Sequence, residues 1–238
     1  MENAGYTTLN RQIGLLREMQ AVANNIANMA TTGYRAEGVI FSEVVRDVGP
    51  GRSSLSMSDA SVPVTDLSQG AMKTTGRTFD FAIEGPGFFR VATASGDQLT
   101  RAGSFTPNAE GVLSAPDGAA LLDLGGAPVV VPPGASRVEL GADGTLSADG
   151  FALTQIGVVE PVDPLDRPRS GTVRFAPEGA VEPVPSPRIL QGALEASNVN
   201  PVREIARMIE VQRAYELGST FLDREDERVR GAIRTIGQ

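Results

Sequence analysis

The stretch Leu9-Asn10-Arg11-Gln12-Ile13-Gly14-Leu15-Leu16-Arg17-Glu18-Met19-Gln20-Ala21-Val22-Ala23-Asn24-Asn25-Ile26-Ala27-Asn28 decides how the rest of the chain is read. Apolar side chains at Leu9, Ile13, Leu16, Met19, Ala23 and Ile26 recur at helical spacings, while Arg11, Arg17 and Glu18 fall off that stripe. This is the pattern of one face of an amphipathic α-helix. Thr31-Thr32-Gly33 stops it, because glycine suits the left-handed conformation found beyond a helix end. A helix from about Asn3 to Asn28 would be roughly 39 Å long at about 1.5 Å per residue.

The other end of the chain mirrors this one. Asn200 before Pro201 is a start signal, since asparagine caps free amide groups and proline fits the first helical position. Glu204 places a negative charge in the first turn, where the helix dipole favours it. Val202, Ile205, Ile209, Gln212, Leu222, Val229, Ile233 and Ile236 then mark a stripe close to a seven-residue repeat. Gly218 interrupts it, which points to a weak spot or to a close approach of a second helix.

Between these ends the periodicity changes. Phe79-Asp80-Phe81-Ala82-Ile83 alternates as a half-buried strand would. Glu110-Gly111, Asp117-Gly118, Asp143-Gly144 and Asp149-Gly150 are turn signals between apolar runs. Gly49 to Ser61 is rich in Gly and Ser, and Pro161 to Pro187 is crowded with proline, so both read as extended or flexible connectors. The predicted organisation is an N-terminal assembly helix in 1–35, an extended linker in 36–69, an antiparallel β domain in 70–160, a Pro-rich connector in 161–190, and a C-terminal assembly helix in 191–238 that pairs with 1–35. The fold class is α+β, with long terminal helices packed as a coiled-coil-like helical domain and the β domain inserted between them.

Composition removes most chemistries. The 238 residues contain no Cys, His or Trp, so no disulfide, thiolate or imidazole metal ligand, Cys nucleophile or His base exists. A net charge of -8 argues against nucleic acid or an anionic lipid surface as the main partner. Met1-Glu2-Asn3-Ala4-Gly5 carries no basic run, and no apolar stretch reaches the roughly 18 residues needed to span a bilayer. The expectation is a protein that is not membrane-embedded and is not exported by a cleaved signal peptide. Gly85-Pro86-Gly87 runs into Phe88-Phe89 rather than into a helix, so it reads as a tight turn and not a phosphate cradle. Asp143-Gly144 and Asp149-Gly150 lack the remaining ligand spacing of a calcium loop. No enzyme, cofactor, metal site or small-molecule substrate is expected.

Several motifs resemble one family, the axial proteins of the bacterial flagellum: rod, hook and hook-associated subunits. Ala23-Asn24-Asn25-Ile26-Ala27-Asn28-Met29-Ala30-Thr31-Thr32-Gly33-Tyr34-Arg35 is similar to its N-terminal signature, with Tyr34 where many relatives have Phe. Gly192-Ala193-Leu194-Glu195-Ala196-Ser197-Asn198-Val199-Asn200 is similar to its C-terminal signature. Met208-Ile209-Glu210-Val211-Gln212-Arg213-Ala214-Tyr215-Glu216 continues that match. Asp80 to Phe89 and Thr100-Arg101-Ala102-Gly103-Ser104-Phe105 resemble its shared β core. The opening residues and modest length look most like the proximal-rod member, with the distal-rod member next.

The resemblance implies a structural polymer subunit that transmits torque, with copies of itself and other flagellar rod proteins as partners. It also implies export in an unfolded state by the flagellar type III apparatus, and residence in the periplasmic rod of the basal body. Assembly is assigned on the first helix to Leu9, Ile13 and Leu16 and to the motif residues Asn24, Asn25, Asn28, Thr31, Gly33 and Tyr34. At the other end it is assigned to Gly192, Leu194, Glu195, Ser197, Asn198, Val199 and Asn200, then Ile205, Met208, Ile209, Gln212, Arg213 and Tyr215. Asn24 and Asn28 share a helix face, where their amides could fix register with a neighbouring subunit or merely cap a fraying end. A reading from another class, a periplasmic β binding module dimerising through its helices, stays open at this point.

Overall fold

The computed structural model describes residues 2–46, 55–163 and 168–236. Two compact units share the chain. One holds 1–29, 36–67 and 199–238; the other holds 30–35 and 68–198.

The first unit contains both long helices, α1 (Glu2–Ala27) and α2 (Pro201–Ile236), packed against each other. At about 1.5 Å per residue, the 36 residues of α2 extend roughly 54 Å. Its start follows the capping logic: Asn200 Oδ1 accepts from the amides of Val202 at 3.1 Å and Arg203 at 3.2 Å. The expected helical region began at 191. Instead, residues up to Glu195 are strand, because Arg188–Gln191 and Ala193–Glu195 pair with strands of the β body.

The segment expected to be an extended linker is extended, and it is also paired. β1 (Glu37–Arg46) and β2 (Leu55–Thr65) form an antiparallel ladder with a register shift between Ile40 and Phe41. Val39, Ile40, Phe41, Val44 and Val45 supply the β-branched and aromatic residues that favour a strand. Of the Gly/Ser-rich connector, residues 49–54 lie outside the described residues and 55–61 belong to β2.

The second unit is an assembly of short antiparallel strands. An eight-stranded sheet includes Phe88–Thr93 and Gly96–Thr100, and a three-stranded sheet runs through Val138–Leu140, Thr145–Ala148 and Phe151–Gln155. The turn signals fall where backbone φ is positive: Gly111, Gly118, Gly144 and Gly150 lie between 82° and 87°. Asp149 joins Gly150 at positive φ in a two-residue loop between Ala148 and Phe151, as a primed hairpin turn requires. Asp143 takes the amide and hydroxyl of Thr145, so its carboxylate is part of a turn. Those bonds hold its pKa below the usual range.

The core is built on phenylalanines, with Phe89 against Phe105 edge-on at 5.7 Å and Phe81 against Phe105 at 6.1 Å. Phe81, Ala82 and Ile83 are all buried, so this strand is covered on both faces and not half-buried as its alternation suggested. Strands also appear within the Pro-rich stretch, at Arg174–Phe175 and Val181–Pro183, and they belong to the same unit.

Candidate assembly site

In the first unit the helices run antiparallel, with each α1 residue nearest its α2 partner in reverse order. Asn25 Nδ2 donates to Glu204 at 3.1 Å, Arg207 Nε to Glu18 at 2.6 Å, and Gln12 Nε2 to the Tyr215 carbonyl at 2.9 Å. On α1 the buried positions are Gln12, Gly14, Leu15, Glu18, Ala21, Val22 and Asn25. On α2, Val211 is buried, and Glu204, Met208, Tyr215 and Gly218 are half-buried around it.

The stripes selected from the sequence are not this face. Leu9, Ile13 and Leu16 are 49%, 43% and 47% exposed, and Val202, Ile205 and Ile209 are 78%, 52% and 45% exposed. Gln212 and Arg213 are exposed with them, while Met19, Ala23 and Ile26 are half-buried. The simple pairing of one oily stripe with the other therefore does not occur within the chain. The buried face makes polar contacts across the pair, and at Gly218 an added Cβ would lie 2.3 Å from Gln12 Nε2. The apolar stripes are left on the outside, uncovered by the chain itself.

The asparagines have partners inside the same unit. Asn25 grips the first residue of β1 by its backbone, donating to the Glu37 carbonyl and accepting from the Glu37 amide, both at 2.8 Å. Asn24 Nδ2 donates to the Glu37 carboxylate at 3.3 Å, and Asn28 Nδ2 donates to the Asn24 carbonyl at 2.9 Å. These amides thus set the place of β1 against the end of α1. Val199 is buried in this unit as well.

The second unit holds the remaining motif residues. Gly33, at φ 70°, donates its amide to the Glu195 carbonyl at 2.8 Å, and its α-carbon faces the backbone of Ala102 with no room for a side chain. Tyr34 is buried, with Arg169 over its ring at 5.1 Å. Gly192, at φ 71°, receives the amides of Thr75 and Gly76 on its carbonyl. Asn198 reaches Ser68 from its side chain at 3.0 Å. Thr31, Leu194 and Ser197 are half-buried around these contacts.

Glu195 is fully buried and sits between two arginines, Arg35 at 2.6 Å and Arg101 at 3.2 Å. Its Oε1 also accepts the Gly70 amide at 2.9 Å. Burial pulls the Arg101 guanidinium down to about 10; Glu195 opposes that shift and the neighbouring Arg35 adds to it. Arg101 also donates to the carbonyls of Ile83 at 3.2 Å and Gly85 at 2.6 Å.

Arg35, Arg101 and Gly70 were not among the residues selected from the sequence. A signal for the arginines was present: each is the lone charge inside its motif. The site offers ordered charge pairs and apolar surface. Among the described residues no group of three metal-capable side chains exists, and no helix is long and apolar enough to cross a membrane.

Comparison with known proteins agrees with this architecture. Three family models match in chain order: flagella basal body rod protein over residues 6–35, the flagellar hook protein FlgE/F/G D1 domain over 82–148, and the flagellar basal body rod FlgEFG protein C-terminal region over 190–235. The flagellar basal-body rod protein FlgF of Caulobacter vibrioides is 39% identical, covering 100% of this chain and 99% of the relative. FlgF of Mesorhizobium japonicum is 36% identical with the same coverage. FlgG of Bacillus subtilis is 30% identical over 88% of this chain and 90% of its own. With 36–39% identity to FlgF proteins over the full chain, rod-protein models at both ends and a hook-protein FlgE/F/G D1 model in the β body, the chain belongs to the flagellar basal-body rod protein family of the FlgF type, a structural family and not an enzymatic one.

Proposed function

We propose that this chain is a structural subunit of the proximal rod, joined to copies of itself and to other rod proteins through the outer faces of its terminal helices. The observation that carries the reading is the exposure of Leu9, Ile13 and Leu16 on α1 together with Val202, Ile205 and Ile209 on α2. Two apolar stripes at helical spacing, left open after both helices have packed, are what a neighbouring subunit would cover. The inner face supports a short antiparallel coiled coil, since Glu204, Val211 and Gly218 recur every seven residues, as do Met208, Tyr215 and Leu222.

Covering the stripes gives the helices stability that they lack alone, because most helical stability comes from tertiary contact. Helices that gain their order at the growing tip suit passage through the type III export apparatus as an unfolded chain. Assembly and the last step of folding then become one event.

The test is the full-length triple variant Leu9→Asp, Ile13→Asp, Leu16→Asp in cells lacking the native copy, read as its content in purified basal bodies. The expected result is exclusion from the rod with an intact β body in the purified protein. Normal incorporation would overturn the proposal. The identity to a FlgG favours a distal-rod position as the second reading, and locating the labelled chain in the basal body decides between them.

A further inference from the structure

The chain passes between its two units four times, at 29/30, 35/36, 67/68 and 198/199. Each passage has a residue of the second unit in one hydrogen-bonded cluster. Gly33 gives its amide to the Glu195 carbonyl at 2.8 Å. Arg35 pairs with the Glu195 carboxylate and donates to the Ser68 carbonyl. Ser68 also receives Asn198 Nδ2 at 3.0 Å, and the Asn198 amide returns to the Tyr34 carbonyl at 3.4 Å. Gly70 gives its amide to Glu195 Oε1 at 2.9 Å, and a Cβ on Gly70 would lie 2.0 Å from the Ala196 carbonyl oxygen.

We propose that Glu195 is the clasp of this junction: one buried carboxylate that fixes the register of all the segments by which the β body is attached to the rest of the chain. Glu195 has three properties that a spacer would not need. It is fully buried, it is shared by two arginines arriving from distant parts of the sequence, and it uses both its carboxylate and its backbone carbonyl on these segments. Burying such a triad is costly, and apolar residues of the same volume often hold a fold as well or better. Its presence therefore points to register and not to bulk stability. The clasp closes only when the N-terminal and C-terminal motifs are both in place, so the body is locked last, after the whole chain is present. The inference does not depend on which rod position the subunit takes.

The test is native-state hydrogen exchange on the full chain, comparing the natural sequence with Glu195→Gln. Glutamine keeps the size and an acceptor for Gly70, but removes the negative charge shared by two buried arginines. Protection at the amides of Gly33, Gly70, Ala196 and Asn198 is expected to fall together, by at least about a hundredfold, while Leu113 and Val129 in the core keep theirs. A change confined to Gly70, an equal fall at every amide, or no change would overturn the clasp. The triple variant Arg35→Met, Arg101→Met, Glu195→Leu guards against simple misfolding, since it removes all three charges at similar volume. It is expected to keep core protection and still lose the junction amides; full junction protection in that variant would also overturn the proposal.

Discussion

Arg35 and Glu195 come from opposite ends of the chain and meet in a 2.6 Å ion pair, with side chains 2% and 0% exposed. The pair ties Arg35 of the N-terminal motif to Glu195 of the C-terminal motif inside one body, so the assembly segment expected over 1–35 ends earlier, at 29/30. Ala30–Arg35 belongs with the β strands. Removal of residues 1–29 is therefore expected to leave the second unit folded. Removal of residues 1–35 takes Arg35 from a buried carboxylate and should cost about 3–5 kcal/mol in denaturant unfolding of that unit. Equal stability of the two truncated chains would contradict this division.

Asn25 makes a second prediction possible. It both donates to and accepts from the backbone of Glu37 and also donates to the carboxylate of Glu204. In Asn25→Asp the acceptor survives, but the donors are gone and a second carboxylate faces Glu204. The expected cost is on the order of 2–3 kcal/mol, from the lost donor bonds and like charges in close contact. Adding Glu204→Gln should recover part of it, and a thermal-unfolding double-mutant cycle gives the coupling. Additive effects would show that the two side chains do not meet.

How much of this was legible in the sequence divides along a physical line. Local signals were readable: the Asn200-Pro201 helix start, the Asp149-Gly150 hairpin turn and the close approach at Gly218 each depend on the conformational limits of one or two residues. The helix stripes were readable as stripes. What they faced was not, because hydropathy ranks Leu9, Ile13 and Leu16 above Gln12 and Glu18, whereas the inner face uses those two polar side chains in contacts with Tyr215 and Arg207 of α2. The Glu195 cluster was illegible for another reason: Arg35, Gly70, Arg101 and Glu195 are brought together only by the topology of the whole second unit, and no local period links them.

Gly218 offers a test of the Gln12 contact between the helices. An alanine there gains about 1 kcal/mol of helix propensity, but its Cβ displaces the Gln12 amide from the Tyr215 carbonyl. The obstacle is the far end of a flexible side chain, so the lost hydrogen bond, about 1 kcal/mol, roughly cancels the gain. Gly218→Ala alone is expected to leave helix content and melting temperature nearly unchanged. In a Gln12→Ala background the same substitution should be stabilising. A large loss in the single variant would mean that the helices are held closer than the Gln12 contact implies.

The outer face of α2 permits a separation of folding from assembly. Val202, Ile205 and Ile209 are about half exposed or more, and they lie outside the contacts that Glu204, Arg207, Val211 and Tyr215 make with α1. Replacing all three with Ser removes apolar area from water-facing positions, which changes stability by no more than about 0.5 kcal/mol per site. Covering the same side chains in a subunit interface would contribute about 1.5–3 kcal/mol each, so their loss should weaken association by several powers of ten. The triple serine variant is therefore expected to melt like the natural protein but to fail in co-sedimentation with assembled rods. If it sediments as well as the natural chain, the α2 stripe is ordinary solvent-facing surface, and the interface between subunits must be sought elsewhere on the molecule.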